Sequence, residues 1–252
     1  MSDAETSYEL KRLNPEFLIS DDPFFRPLAL SFGPDGALYV ADFYSALIEN
    51  TSQPKRRFGR DHIHGRIYRI TYPERKLLMP PKITGQSISE LLDLLKIHEN
   101  ATRQLAQREL QGRGTEQVII HLKNWMNKLD SAHPEYERHL LESLWIYQRH
   151  EVVEPKLLIR LLDAKDFRVR ASATRVLRFW QDRMDHSIEL LEKMVEDDHA
   201  RVRLQAVLAC GFNSSDRAVS VALRATRHPM DAGLRNALDD TMDYFDRIKA
   251  GK

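Results

Sequence analysis

The chain has 252 residues, 42% of them apolar and 30% charged, and its 38 Lys and Arg nearly cancel 37 Asp and Glu. That balance lacks the basic excess that phosphate contacts call for, so composition predicts no nucleic-acid partner. No apolar run approaches the ~20 residues of a membrane span, and a single cysteine, Cys210, excludes an intrachain disulfide, a thiolate metal cluster and a Cys-x-x-Cys-His haem attachment site.

The polar, acidic start, MSDAETSYEL, has neither the basic nor the apolar region of a signal peptide. The grammar from Arg26 to Thr71 is that of strands. Leu28 to Phe32 and Ala37 to Ala41 are short apolar runs on either side of Gly33-Pro34-Asp35-Gly36. Pro presets φ at such a corner and Gly supplies positive φ, so a hairpin is expected. Gly65 to Thr71 alternates well enough for a third strand. Between them, Glu49 to Gly59 is a polar loop with Lys55, Arg56 and Arg57, and Pro73, Pro80 and Pro81 punctuate a linker. Charge divides here too: residues 1–49 hold nine acids and three bases, residues 50–82 nine bases and two acids. A solvated, self-complementary surface accounts for it.

After Ser87 the period becomes helical, with Ser87 or Ser89 placed to cap a helix whose apolar positions are Leu91, Leu92, Leu94 and Leu95. The segment Leu161 to Arg170 then repeats as Met194 to Arg203, an offset of 33 residues that continues through Ala173/Ala206, Leu177/Cys210 and Phe179/Phe212. Two periods back from Leu161 lies Leu94, with Arg103, Ala106 and Leu110 in register. Weaker copies run from Leu129 to Tyr147 and from Ala225 to Phe245. Each unit reads as an outer helix ending in Leu-Leu, an Asp-rich turn, and an inner helix with Ala on its packing face. Such a hairpin buries its apolar side only by leaning on its neighbours.

This pattern resembles the HEAT family, with armadillo-like arrays close to it. The expected fold is mainly α: an α-solenoid of about five hairpins over 87–252, preceded over 1–82 by a small antiparallel β unit and linker. The resemblance implies that Arg103, Arg170, Arg203 and Arg235 pair with turn aspartates of neighbouring units, for which Asp163, Asp166, Asp197 and Asp198 are available. A ligand-binding arginine ladder is the other reading. Trp125, Trp145 and Trp180 lie on apolar helical faces and are expected in the core, not as base-stacking platforms.

A narrower resemblance covers the first eighty residues. Arg26-Pro27, the run Gly33 to Tyr44, and Arg60-Asp61-His62-Ile63-His64-Gly65-Arg66 through Thr71 are similar to the closing blade of a glucose/sorbosone dehydrogenase-type β-propeller. More narrowly, they resemble the exported planctomycete proteins called membrane-bound dehydrogenases with a haem-binding domain. That family runs propeller, HEAT repeats, cytochrome c domain, so the resemblance implies that this chain is a C-terminal piece. Pyrroloquinoline quinone and haem c would then sit on regions it does not contain. The chain as written carries no export route, while the family it resembles works outside the cytoplasm.

His62 and His64 flank Ile63 and would share a side of an extended strand. With Asp61 and Asp42 they suit a metal or proton-transfer cluster; alternatively Asp61, Arg60 and Arg66 clamp the loop by hydrogen bonds. Arg26, Asp42, Tyr44, Arg60 and Arg66 are the candidate binding residues, readable as sugar contacts or as blade packing. The histidines of the helical part are expected at the surface or as caps. The expected function is a non-catalytic HEAT-repeat scaffold that binds protein or other domains of its polypeptide. The alternatives are a segment completing a quinone-dependent sugar or alcohol dehydrogenase, and a HEAT-type nucleic-acid binder.

Overall fold

The turn Gly33–Gly36 sets the first regular structure in the computed structural model, which describes residues 6–7, 15–45, 63–213 and 215–249. Gly36 adopts φ +76°, Asp35 accepts from the Ala37 amide at 3.1 Å, and the Gly33 amide reaches the Ala37 carbonyl at 2.9 Å. This corner folds β1 (Pro27–Phe32) onto β2 (Leu38–Asp42), and β3 (Arg66–Ile70) closes an antiparallel sheet of order β1-β2-β3. Leu30 faces Val40, which faces Tyr68. Val40 on the central strand is buried, whereas β1 is exposed along its whole length, with Leu28, Leu30 and Phe32 among the exposed residues.

Contacts divide the chain into two units, Lys11–Glu109 on the one hand and Met1–Leu10 with Leu110–Lys252 on the other. The sheet's unit also contains α1 (Ile88–Asp93), which a capping box starts: the Ser87 hydroxyl accepts from the Glu90 amide while Glu90 reaches back to the Ser87 amide. A 3₁₀ turn, Leu94–Lys96, follows, and Leu91, Leu92 and Leu95 are buried. The helix α2 (Asn100–Gln111) begins in this unit.

The other unit is helical: α3 (Thr115–Asn127), α4 (Tyr136–Arg149), α5 (Pro155–Leu162), α6 (Phe167–Trp180), α7 (Ser187–Val195), α8 (Ala200–Cys210), α9 (Asp216–Leu223) and α10 (Ala232–Lys249). Pro155 starts α5 at the position where its missing N–H costs nothing, and the Asp166 carboxylate caps α6 by accepting from the Arg168 amide at 2.8 Å. Helices then pack in pairs, α5 on α6 and α7 on α8, while α8 also packs on α6 and on α10. Fully buried Ala173 and Ala206 let α6 and α8 approach, and Leu158, Leu177, Leu191 and Val202 fill the interior. The described fold is mainly helical with one small antiparallel sheet.

Trp180 and Trp125 are core residues, and Trp145 is half-buried. Cys210 is buried, its thiol pushed up to about 12 by desolvation. One helical histidine departs from the expectation of surface or capping positions: His139 is buried within α4, whereas His150, also buried, stands at the C-cap of that helix. His199 does cap, its Nδ1 accepting from the Arg201 amide at 3.2 Å. Among the described residues no helix is long and apolar enough to cross a membrane.

Truncating Trp180 to Ala removes the largest fully buried side chain and is expected to cost about 3–5 kcal/mol of unfolding free energy in a urea titration. His150 supplies a pH test. Burial holds its imidazole below the ordinary value of 6.5, so the fold keeps it neutral. Its contribution is complete above pH 6.5 and is lost as pH falls through the depressed folded value. The midpoint of urea unfolding should therefore drop on acidification below 6.5, with a smaller drop in His150→Asn.

Candidate functional site

A short turn between two packed helices leaves carbonyls outside either helix's hydrogen-bond ladder. Three arginines meet this need in the same way. Arg170, in the first turn of α6, donates Nη1 to the carbonyls of Ala164 (2.9 Å) and Lys165 (3.0 Å), just past the end of α5. Arg203 in α8 donates Nη1 to Asp197 (2.8 Å) and Asp198 (2.9 Å) carbonyls past α7. Arg103 in α2 donates to those of Ile97 and His98. In each case the acceptors lie six and five residues back, so one side chain ties the end of a helix to the start of the next.

Two of these arginines reach further. Arg170 forks onto Asp197, Nε to Oδ2 at 2.7 Å and Nη2 to Oδ1 at 2.8 Å, a bidentate pair with only 17% and 7% of the side chains exposed. Arg203 donates Nη2 to the Pro229 carbonyl at 3.1 Å. Successive turns are thereby linked from Ala164 through Arg170 and Asp197 to Arg203 and Pro229. The hydrogen bond and charge of Asp197 hold the Arg170 guanidinium above its ordinary pKa. The other turn aspartates do different things. Asp163 pairs with Lys193, and Asp166 caps α6 and binds Arg168. Asp198 offers its backbone carbonyl, and Arg235 is exposed near the start of α10.

In the sheet's unit the structure gathers Arg26, Asp42, Tyr44 and Arg66. Asp42 and Arg66 are paired in register at the ends of β2 and β3. Asp42 Oδ1 accepts from the amides of Arg26 (2.7 Å) and Tyr44 (2.9 Å), while its buried Oδ2 has no hydrogen-bond partner. Tyr44 takes φ +53°, the left-handed region that a bulky residue enters only when its surroundings hold it there. Phe24 stacks on its ring at 5.3 Å, and the Arg66 guanidinium lies 3.8 Å from the ring centroid. Arg66 Nη1 donates to Asp22 Oδ2 at 2.7 Å and to the Tyr68 hydroxyl at 3.2 Å. These bonds hold Asp22 below the usual carboxylate range and raise Arg66 above its ordinary value, the Tyr68 bond first.

His64 is exposed two residues before Arg66. Arg60, Asp61 and His62 lie outside the described residues, and with them both the cluster of Asp61, His62, His64 and Asp42 and the alternative clamp of Arg60, Asp61 and Arg66. Among the described residues, no group of three or more His, Cys, Asp or Glu could hold a metal ion. Sequence reasoning did not single out Asp22, which carries no spacing signal, or Arg69, whose guanidinium binds Asp35 Oδ2. Asp35 itself was visible as a turn residue. The arrangement positions backbone and rings around a charged pair, an anchoring chemistry of hydrogen bonds and stacking.

An Arg170→Ala variant removes the bonds to two turn carbonyls and leaves Asp197 without its fork, with an expected loss of about 2–3 kcal/mol. Asp197→Ala, which leaves the carbonyl bonds in place, should lose less. Urea unfolding of the two variants checks the order.

Comparison with known families divides the chain in the same sense. Residues 154–240, from just before α5 into α10, match the family model for HEAT repeats. Residues 2–74, which include all three strands, match a domain of unknown function (DUF7133). No curated protein matches the chain. HEAT repeats commonly mediate protein interactions, so the helical part carries a repeat-type scaffold or binding segment.

Proposed function

We propose that the helices from about Ser87 onward act as an α-solenoid of HEAT hairpins that binds or braces another protein, or another domain of the same polypeptide, and performs no chemistry. The observation that supports this best is the recurrence of one bonding pattern at Arg103, Arg170 and Arg203, with the fork onto Asp197 carrying it from one helix pair to the next. A unit built by repetition depends on nearest neighbours rather than on one central core. Removing residues 215–252 should therefore leave the remaining helices folded, with lower stability and a smaller urea m-value. Loss of all far-UV helical signal on that truncation would point to a single closed core and against the solenoid.

A second reading is favoured by the sheet. Among the described residues no strand pairs with the outer side of β1, and Leu28, Leu30 and Phe32 are exposed, an arrangement that favours cover by another strand or sheet. Propeller blades have four antiparallel strands, and the described residues of this unit include three, with Arg26, Asp42, Tyr44 and Arg66 at one end. In this reading the segment completes a propeller-type dehydrogenase of the kind its sequence resembles, and pyrroloquinoline quinone and haem c belong to other regions of that assembly. Mixing the chain with a propeller partner, calcium and the quinone, then following aldose oxidation with a dye acceptor, separates the two: a rate no higher than the partner alone removes the catalytic reading. The nucleic-acid alternative has least support, since residues 150–252 carry 18 Lys and Arg against 17 Asp and Glu and Trp125 and Trp180 are buried.

A further inference from the structure

Phe179 and Phe212 occupy equivalent places in successive repeats, at the C-terminal end of α6 and just past α8, and each ring is more than half exposed (52% and 55%). Arg178 lies between them, its guanidinium carbon 3.7 Å from the centroid of Phe212 and 5.4 Å from that of Phe179. Several arginines of this unit meet carboxylates: Arg170 with Asp197, Arg217 with Glu189 and Glu192, Arg227 with Glu196. Arg178 and Arg175 have no such partner among the described residues. The Nε of Arg178 is buried without a hydrogen-bond acceptor. Burial, and then the neighbouring charge of Arg175, push the Arg178 guanidinium below its ordinary pKa. Arg175 is exposed one turn earlier on α6.

We infer that Arg175, Arg178, Phe179 and Phe212 form a docking surface for a short acidic peptide segment of a partner protein, a carboxylate meeting the two arginines while an apolar side chain covers the two rings. Arginine and aromatic residues are the types that dominate interface energetics when desolvated together, and the rings keep the guanidinium in place before a partner arrives. Charge selects the occupant. On the far side of α8, the packed neighbour α10 exposes Asp239, Asp240 and Asp243. An extended polyanion crossing from α6 to α10 would be repelled there, whereas a short segment with one or two carboxylates is confined to the α6 side. This inference rests on the reading of the helices as a binding segment.

The test selects a random dodecapeptide library on the immobilised full-length chain, with counter-selection on an Arg175→Glu/Arg178→Glu double variant. The expected peptides are enriched in Asp and Glu beside an apolar residue. A labelled representative should lose at least tenfold in affinity to Arg178→Glu and to Phe212→Ala, and less to Arg178→Lys. Far-UV circular dichroism and urea midpoints establish that each variant is folded, and Arg175→Glu at an exposed position provides an independent charge reversal. Peptides without acidic enrichment, or peptides that bind the double variant equally well, overturn the surface proposed here while leaving a binding segment with its site elsewhere. Recovery of no peptide overturns it too. Equal competition by a twenty-nucleotide DNA strand overturns it in favour of a general anion surface.

Discussion

A turn held between two packed helices must have its carbonyls answered, and in this protein a guanidinium answers them. Arg170 and Arg203 each bridge the end of one helix and the beginning of the next through the carbonyls six and five residues behind them. Because an arginine fork has donors to spare, the same side chain also reaches onward, Arg170 to Asp197 and Arg203 to Pro229. The bond that closes a turn thus also fixes the distance to the following turn. Packing of Ala173 and Ala206 between α6 and α8 depends on that spacing.

The helical interior is mostly apolar, with Glu142 and Arg203 among the buried charged groups. Several titratable groups there are held neutral: the Cys210 thiol is pushed far up, the His150 imidazole down, and the Tyr147 phenol up to about 12 by desolvation. Several arginines at turns and on outward faces have acidic partners, among them Arg168, Arg217 and Arg227. Arg170 forks onto a carboxylate, whereas the Arg178 guanidinium lies beside the rings of Phe179 and Phe212.

The small sheet follows another logic. Val40 of its central strand is buried while β1 is exposed, and one corner is charged, where Arg66 joins Asp22, Tyr44 and Tyr68. Holding Tyr44 at positive φ costs on the order of 1–3 kcal/mol, and Asp42 offsets part of this by accepting from the amides of Arg26 and Tyr44. Such a corner orients the end of the sheet toward whatever lies beside it.

Local chemistry was legible in the amino-acid order. The Gly33–Gly36 turn, the strands on either side of it, the Ser87 cap and the 33-residue recurrence all depend on residues near one another in the chain, and each appears in the structure within a residue or two of its expected place. Which aspartate would meet which arginine was not legible. Asp163, Asp166, Asp197 and Asp198 all occupy turns, and only the offset between packed helix pairs brings Asp197 under Arg170. The burial of His139 and His150, and the placement of Arg178 over Phe212 across a gap of 34 residues, likewise come from helices meeting in space. Turn and cap preferences act over a few residues and so can be read directly, whereas through-space pairing depends on crossing geometry that no single segment encodes.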